Sequence, residues 1–462
     1  MRVTIVGGGP AGYEAALVAA QLGAEVTVVD RDGLGGACVL TDCVPSKTLV
    51  ATAESITSLV NSPALGVRLT GAPEISHQSV FADAQHVFAR VKALAGAQSS
   101  DVSAKLASAG VRVVVGSGRL VGPRAVQTSA NGVDDELIES DIILLALGAT
   151  PRVLPTAIPD GERILDWRQL YDLPALPEHL IVVGSGVTGA EFAHAFGALG
   201  SKVTLVSSRD RVLPNEDADA ARVIEAVFAR RGIEVMQNAR ASAARREGDT
   251  VVVECVDGRT VVGSHVLMAV GSISATSDLG LAEAGVLMDE GGNIAVNKVS
   301  RTSVPTIYAA GDCTGVLPLA SVAAMQGRIA MWHALGEAVE PIKLGSVAAT
   351  IFTEPEIATV GATAADVESG KVFGEVLTLP LATNARAKMQ GITDGFVKVI
   401  CRPESGKVLG GVVVAPHASE LILPLAMAVQ LGLTVDQVAH TFSIYPSLSG
   451  SITEAARQLH QH

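Results

Sequence analysis

One local pattern occurs twice in this chain: a short apolar run, a glycine-rich turn, an alanine-rich stretch and a second apolar run. The first copy covers residues 3–6, 7–12, 13–22 and 25–29. The second covers residues 180–183, 184–189, 190–199 and 203–206. Each copy predicts a strand, turn, helix and parallel strand of the Rossmann type. We therefore expect an α/β protein with two separate nucleotide-binding modules, for two dinucleotides or for one dinucleotide and one nicotinamide nucleotide.

The glycines of the first turn have distinct expected roles. Gly7 permits the tight turn, Gly9 lets a pyrophosphate approach the backbone, and Gly12 lets helix and strand pack closely. Phosphates would meet the helix N-terminus, where Pro10 and Ala11 lie, and Asp30 at the end of the second strand would bind a ribose hydroxyl. The equivalent positions of the second unit are Gly184, Gly186, Val187, Thr188 and Gly189.

The second unit has no acidic residue where the first has Asp30. Ser207, Ser208 and Arg209 follow its second strand instead. A carboxylate there would bind the 2′-hydroxyl of NAD, whereas small hydroxyls beside an arginine accommodate a 2′-phosphate. We predict a preference for NADPH, with NADH as an alternative. A further alternative is that Arg209 is only a solvated loop charge that binds no nucleotide.

Two cysteines, Cys38 and Cys43, are separated by four residues and followed by Pro45 and Lys47. Pro45 suits the first turn of a helix, and helix spacing places Lys47 on the same face as Cys43. A thiolate at Cys43 would have a lowered pKa beside the helix N-terminus and an ammonium group. Since a disulfide needs close Cα atoms, Cys38 should lie on a bent or pre-helical segment. The pattern indicates a redox-active disulfide; two unrelated buried cysteines are the alternative.

Further strands end in turns beside the expected ligand. Buried strands end before Gly148 and Gly271, and another ends in Gly311-Asp312. From residue 346 the pattern changes to alternating β runs and helices without a phosphate-binding turn, which predicts a separate α+β domain. We expect residues 1–150, completed by 278–344, to bind the first cofactor, residues 151–277 to bind NAD(P), and residues 345–462 to form the separate last domain.

Composition narrows the range of partners. The net charge is -13 and no sustained Lys/Arg run occurs, which argues against nucleic acid or an anionic membrane surface. No uncharged apolar run reaches the length of a membrane span, and the chain begins directly with a strand. Five cysteines are too few for a disulfide scaffold. We expect a cytoplasmic protein without a metal site, in which any disulfide is catalytic.

Together these motifs resemble the flavoprotein disulfide reductases, over nearly the whole chain. The resemblance rests on both glycine-rich units, the 38–47 motif, Glu191, Ala310-Gly311-Asp312 and the segment 352–358. Within this family, the sequence is most similar to actinobacterial NAD(P)H:quinone reductases, which resemble dihydrolipoamide dehydrogenase. This similarity lies in residues 44–48, 321–328 and 445–452.

The resemblance implies a set of roles. Cys43 would lie against the flavin and Cys38 would be the interchange thiol, while Lys47 would pair with Glu191 near flavin N5. The last domain would form a homodimer interface. FAD would be held by Gly7, Gly9, Gly12, Asp30 and Asp312. Further candidate cofactor-binding residues are Pro10, Ala11, Gly36, Ala37, Gly148, Gly271 and Gly311.

One departure from the family pattern bears on the electron acceptor. Family members that reduce disulfides carry a His-Pro in the last domain, with a Glu five positions after the His, as general acid and base. This chain has Tyr445 and Gly450 there. A phenol is a poor base at neutral pH, and losing such a pair typically costs about 10² to 10⁴ in rate.

We therefore predict an FAD-dependent oxidoreductase that passes a hydride from NAD(P)H through FAD to quinones, which need no acid/base pair. A dihydrolipoamide dehydrogenase with another base and a soluble pyridine nucleotide transhydrogenase are alternatives. An FAD-bound redox sensor, in which the disulfide reports redox state, is the non-enzymatic alternative.

Overall fold

The computed structural model describes residues 1–70, 75–76, 79–130 and 133–460. Its strands are β1 (Arg2–Val6), β2 (Glu25–Asp30), β3 (Arg112–Val115), β4 (Ser117–Leu120), β5 (Ala125–Ala130), β6 (Val133–Glu139), β7 (Ile142–Leu145), β8 (Ala149–Pro151), β9 (Ile164–Leu165), β10 (His179–Val183), β11 (Lys202–Val206), β12 (Glu234–Met236), β13 (Ala241–Glu247), β14 (Thr250–Cys255), β15 (Thr260–Gly263), β16 (His265–Met268), β17 (Ser272–Ser274), β18 (Ile307–Ala309), β19 (Ala348–Ile351), β20 (Glu356–Gly361), β21 (Glu375–Pro380), β22 (Phe396–Cys401) and β23 (Val408–Ala415). Its helices are α1 (Pro10–Gln21), α2 (Gly36–Leu40), α3 (Cys43–Asn61), α4 (Ala84–Ser108), α5 (Val187–Leu199), α6 (Ala218–Arg230), α7 (Ala320–Ala334), α8 (Ala364–Glu368), α9 (Ala385–Gln390), α10 (Ala418–Leu421), α11 (Leu423–Leu431), α12 (Val435–Ala439) and α13 (Gly450–Gln458).

Unit 1 comprises Met1–Thr48, Phe88–Arg152 and Gly271–Ile342. Its main sheet is parallel, in the order β18-β7-β1-β2-β3. All four residues of β7 are buried, as expected of a strand covered on both faces. Val6 pairs with both Val29 and Leu145, so the ends of β1, β2 and β7 meet at one edge of the sheet. Ligands of such sheets bind outside this carboxyl edge.

Unit 2 comprises Leu49–Val87, Val153–Val270 and Lys343–His462. One of its sheets repeats the parallel arrangement, in the order β12-β11-β10-β16-β9. The other large sheet, β19-β20-β23-β22-β21, is antiparallel and packs against α11 and α13. Residues 207–210 and 184–186 again lie beyond the carboxyl ends of neighbouring parallel strands.

The predicted mixed α/β fold class is confirmed. The sequence pattern predicts one helix over residues 420–431, and this prediction is wrong. The chain forms α10 and then α11, with Pro424 in the first turn of α11, because proline cannot donate the hydrogen bond that a continuous helix requires there. The division at residues 150, 277 and 344 stays a prediction. Among the described ranges, no helix has the length and apolarity needed to cross a membrane.

Candidate active site

The first glycine-rich turn is closed by two contacts that only glycine permits. A Cβ atom on Gly7 would lie 2.2 Å from the carbonyl oxygen of Ala146, and Gly7 has φ +102°. A Cβ atom on Gly12 would lie 1.9 Å from the carbonyl oxygen of Gly7. Both distances are far inside van der Waals contact, so the turn and the first helical turn of α1 fit against β1 only without side chains.

The N-terminus of α1 faces a backbone cradle. A Cβ atom on Gly36 would lie 2.8 Å from the Cα atom of Gly9, so the two loops approach each other closely. Gly36 also has φ +58°. Gly9 is the N-cap residue of α1, Pro10 opens the helix, and no side chain caps it. Uncapped N–H groups at a helix N-terminus bind phosphate oxygens, as the sequence predicts for this turn.

Asp30 ties this turn to the next loop. Its Oδ2 accepts a hydrogen bond from the Gly8 N–H at 2.6 Å, and its Oδ1 accepts one from the Gly33 N–H at 2.6 Å. The carboxylate is thereby fixed at the carboxyl edge of the sheet, beside the turn. A carboxylate held there has acceptor capacity left for a ribose hydroxyl.

Helix α7 supports the site in a way that sequence reasoning missed. Buried Gln326 accepts a hydrogen bond from the Gly311 N–H at 2.9 Å through its Oε1. A Cβ atom on Gly327 would lie 2.2 Å from the Ala11 carbonyl oxygen, so α7 and α1 pack at close range. Arg328 pairs with Glu14 of α1 at 2.7 Å. In the sequence analysis, residues 321–328 contributed to the family resemblance, but no role was assigned to them.

Asp312 presents a carboxylate at the same sheet edge, after Gly311 with φ +84°. Burial raises the pKa of its carboxyl. No hydrogen bond or ion pair joins its side chain to the described residues. The two glycines at which buried strands were expected to end both have positive φ: Gly148 precedes β8 at φ +68°, and Gly271 precedes the paired strand β17 at φ +92°.

The cysteine pair lies where the short helix α2 is followed by the long helix α3. Cys38 is in α2, after Gly36 and Ala37, and Cys43 begins α3. The expectation that Cys38 precedes the main helix on a separate segment is confirmed. Both residues are thiols and only partly buried, and their side chains are joined by a hydrogen bond. They are therefore close enough for reversible disulfide formation.

The thiol electrostatics differ from the expectation. The hydrogen bond from Cys43 lowers the pKa of the Cys38 thiol, against the effect of burial, and the Lys47 ammonium lowers it further. The same hydrogen bond, together with burial, raises the pKa of Cys43. In this dithiol form the prediction of a lowered pKa at Cys43 is wrong, because the helix N-terminus and Lys47 are outweighed by the proton that Cys43 shares. Asp312 also lies within electrostatic range of Cys38.

The second glycine-rich turn repeats the geometry of the first. A Cβ atom on Gly184 would lie 2.2 Å from the Ala269 carbonyl oxygen, and one on Gly189 would lie 1.8 Å from the Gly184 carbonyl oxygen. Gly186 is the N-cap residue of α5, which begins at Val187, followed by Thr188, and no side chain caps this helix either. A Cβ atom on Gly186 would meet nothing within 4 Å, so the space beside it is open to a ligand.

In the loop after β11, some polar side chains form hydrogen bonds within the protein and others are exposed to solvent. Ser207 is fully buried, and its hydroxyl is 2.7 Å from that of Ser185. Arg211 donates to the Pro214 carbonyl oxygen at 2.8 Å. Ser208 and Arg209 are exposed. The predicted direct contact between Ser207 and the nucleotide is therefore corrected: its hydroxyl shapes the loop, and Ser208 and Arg209 are the groups the loop presents.

Glu191 is buried on α5, and its Oε1 accepts a hydrogen bond from the Phe352 N–H at 2.9 Å. The segment 352–358 that contributed to the resemblance thus helps to orient this carboxylate. The predicted pairing of Glu191 with Lys47 stays a prediction.

Tyr445 and Gly450 lie around the start of α13, a helix that packs on the antiparallel sheet. Tyr445 is 86% exposed on the loop before α13, and Gly450 is the first residue of that helix. The two residues border a cavity of about 410 Å³, together with Asn384 and Arg457. Residues 442–445 of this loop are Phe, Ser, Ile and Tyr, so this stretch contains no histidine.

Comparison with known families agrees with this geometry. Residues 1–327 match the model described as pyridine nucleotide-disulphide oxidoreductase, and residues 347–456 match the dimerisation domain of the same family. The chain belongs to the pyridine nucleotide-disulphide oxidoreductases.

Similar proteins of this family cover the chain almost completely. The NAD(P)H dehydrogenase (quinone) of Mycobacterium tuberculosis is 56% identical over 100% of this chain and 94% of its own length. The dihydrolipoyl dehydrogenase of Haloferax volcanii is 34% identical over 98% of this chain and 95% of its own length. The crystal structure of LpdA from M. tuberculosis is 55% identical, with a TM-score of 0.94 and full coverage of both chains. The flavoprotein disulfide reductase RclA of Escherichia coli is 26% identical, with a TM-score of 0.86 over 99% of each chain.

Pyridine nucleotide-disulphide oxidoreductases imply FAD and NAD(P)H, and the residues here fit both. The uncapped α1 N-terminus, and the close approach of Gly36 to Gly9 that excludes a side chain on Gly36, fit a phosphate-binding turn. The open space at Gly186 and the uncapped α5 N-terminus provide the second such site. Among the described residues, no three His, Cys, Asp or Glu side chains cluster as metal ligands do.

Proposed function

We propose that this protein oxidises NAD(P)H, with NADPH preferred, and reduces quinones, using FAD as its bound cofactor. The observation that carries the proposal is Tyr445, exposed and without an acidic partner at the position five residues on, where Gly450 begins α13. A quinone accepts two electrons and takes its protons from solvent. Reduction of a disulfide releases thiolates that a positioned acid would protonate, and this chain lacks that acid. The M. tuberculosis relative named NAD(P)H dehydrogenase (quinone) supports the same acceptor.

Each part of the chain has a role in this reaction. Gly9, Gly36 and the α1 N-terminus would hold the FAD pyrophosphate, with Asp30 on a ribose hydroxyl. Bound FAD supplies the acceptor for the nicotinamide hydride. Gly186 and the α5 N-terminus would hold the pyrophosphate of NAD(P)H. Lys47 would supply positive charge beside the cysteine pair, which stabilises negative charge developing there.

Steady-state oxidation of NADPH by the FAD-loaded protein tests the acceptor. With a benzoquinone and lipoamide at matched concentrations, we expect quinone turnover to exceed lipoamide turnover by about 10² or more, since the missing acid/base pair affects only the disulfide reaction. Lipoamide turnover equal to that of quinone would contradict the proposal. It would support a second candidate, a dihydrolipoamide dehydrogenase, which the intact pair Cys38 and Cys43 favours.

The nucleotide preference is tested at Arg209. Replacing Arg209 by alanine is expected to raise the KM for NADPH about 10- to 100-fold, because charge-assisted hydrogen bonds to the 2′-phosphate are lost. The KM for NADH should stay within twofold. Arg240, an exposed arginine of the same unit, provides the control Arg240→Ala. Equal changes in both KM values, or none, would reject Arg209 as a 2′-phosphate ligand.

We also propose a homodimer. Besides the match to a dimerisation domain, Leu423, Met427 and Leu431 are spaced four residues apart on α11 and are 60%, 51% and 66% exposed. Such an apolar stripe on one face of a helix is typical of a subunit interface. Sedimentation equilibrium tests this proposal, since a species at the mass of one chain would contradict it. The cytoplasmic location stays a prediction from the sequence.

A further inference from the structure

The loop that presents Ser208 and Arg209, residues 207–217, is fixed at its start and its middle. The Arg209 carbonyl oxygen accepts a hydrogen bond from the Asn238 N–H at 2.8 Å. The Leu213 N–H donates to the Ser185 carbonyl oxygen at 2.8 Å, which ties the loop to the second glycine-rich turn. Leu213 is buried and has φ +52°. These contacts hold the start and the middle of the loop, and its end needs a further anchor.

The end of this loop is anchored by a buried lysine. Asp217 is the N-cap residue of α6, and its Oδ1 accepts hydrogen bonds from the backbone N–H groups of Asp219 and Ala220. Lys398 Nζ lies 2.6 Å from Asp217 Oδ2 and 2.7 Å from Asp219 Oδ2. The side chains of Lys398 and Asp217 are only 3% and 4% exposed. Lys398 thus pairs with both carboxylates at the start of α6, and Arg222 is a second partner of Asp219.

Lys398 comes from β22 of the antiparallel sheet, far along the chain from the loop. Removing its charge would leave the Asp217 carboxylate buried beside Asp219 without a counter-ion, which is strongly unfavourable. The hydrogen bond from Lys398 also lowers the pKa of Asp219, in keeping with a charged cluster. We expect the start of α6, and with it the end of the loop, to shift in response, since Asp217 is held there by its backbone hydrogen bonds and by Lys398.

The other end of α6 has separate attachments to the same region of the chain. Arg230, its last residue, pairs with Asp394, and Arg231 pairs with Glu354 at 3.2 Å. These pairs do not involve Lys398. Loss of Lys398 should therefore displace the first turn of α6 while its last turn stays in place.

We propose that Lys398 is a positioning residue for nucleotide binding, which holds Asp217 and Asp219 at the start of α6 and so fixes the loop that offers Ser208 and Arg209 to the ribose 2′-phosphate. This inference rests on the proposed preference for NADPH. Lys398 itself touches neither substrate nor cofactor; it acts through the loop.

The test compares Lys398→Met with Lys371→Met in the FAD-loaded protein. Lys371 pairs with Asp366 at 2.7 Å and is 75% exposed, so it controls for the loss of one lysine charge in an ion pair. Calorimetric titration with 2′,5′-ADP measures 2′-phosphate binding without turnover, and steady-state kinetics give KM and kcat. For Lys398→Met we expect the Kd of 2′,5′-ADP and the KM for NADPH to rise about 3- to 30-fold. The KM for NADH, and kcat, should stay within twofold, as should all values for Lys371→Met.

A purely structural role for Lys398 would lower the melting temperature without this selective change. Equal increases in the KM for NADPH and NADH, or an unchanged Kd for 2′,5′-ADP, would overturn the inference. Should Lys398→Met fail to fold, Asp219→Asn keeps both Lys398 and the Asp217 cap, and it is expected to change the same constants in the same direction by a smaller factor. No selective change in Asp219→Asn would then overturn it.

The two proposals fail in distinguishable ways. Failure of the native protein to bind 2′,5′-ADP, with no effect of Arg209→Ala, would reject the NADPH preference and this inference with it. Tight binding by the native protein that Arg209→Ala weakens, but that neither Lys398→Met nor Asp219→Asn alters, would reject the role of Lys398 alone.

Discussion

Replacing Gly12 by alanine is expected to give protein that retains no FAD, whereas Gly189→Ala is expected to give FAD-loaded protein that NADPH no longer reduces. The new Cβ atom would lie 1.9 Å from the Gly7 carbonyl oxygen in one case and 1.8 Å from the Gly184 carbonyl oxygen in the other. Either contact must open the turn that receives a pyrophosphate. Because the two turns belong to separately compact units, the losses should be separate.

Flavin absorbance per chain after purification, and flavin bleaching on addition of NADPH, measure the two effects. Gly96→Ala is the matched control, because a Cβ atom there meets nothing within 4 Å, and in the middle of α4 it should stabilise the helix by about 1 kcal/mol. Full FAD content in Gly12→Ala, or normal bleaching in Gly189→Ala, would show that these contacts relax without harm.

A second pair of variants separates folding from ligand approach. A Cβ atom on Gly9 would meet only the Gly36 Cα atom, at 4.0 Å, and one on Gly186 would meet nothing. Gly9→Ala and Gly186→Ala should therefore fold with near-native melting temperatures while binding their nucleotides more weakly. This contrast assigns Gly12 and Gly189 to the packing of helix on strand, and Gly9 and Gly186 to the ligand.

The features predicted well from the sequence are those that depend on backbone geometry over a short stretch. Gly7 and Gly12 fix a turn whose atoms all lie within a few residues of one another or on the adjacent strand. The break between Cys38 and Cys43 follows from the distance that a disulfide can bridge. Asp30 follows from strand length and the shared edge of a parallel sheet. In each case, backbone geometry over a short stretch of the chain determines where the residue lies.

The features that sequence reasoning missed depend on partners far apart in the chain. Serine is a residue type that often binds phosphate, but the Ser207 hydroxyl is buried against Ser185. Sequence spacing does not reveal which way a side chain points. Gln326 holds Gly311, and Lys398 neutralises Asp217, across separations of 15 and 181 residues. The prediction of a lowered pKa at Cys43 is also wrong, because the pKa of each thiol depends on which cysteine donates the shared proton.

The lowered pKa of Cys38 and the raised pKa of Cys43 lead to the sharpest prediction about the cysteine pair. The Cys38 thiol has the lowered pKa, so in the reduced protein it is the nucleophile expected to attack a disulfide substrate. Its thiolate would form a mixed disulfide and release one substrate thiol. Cys43 would then attack Cys38 sulfur, close the Cys38–Cys43 disulfide and release the second thiol. A quinone requires neither step.

Cys38→Ala and Cys43→Ala are therefore expected to abolish whatever lipoamide turnover the native protein has, by about 10³ or more, since both steps of exchange need both sulfurs. Quinone turnover with NADPH should stay within a few-fold. Cys255→Ala, which removes a buried thiol of unit 2, serves as the control and should change neither activity. A parallel loss of quinone turnover in Cys38→Ala and Cys43→Ala, at native FAD content, would mean that electrons reach every acceptor through the dithiol, and the proposal that Tyr445 and Gly450 decide the acceptor would then have to be abandoned.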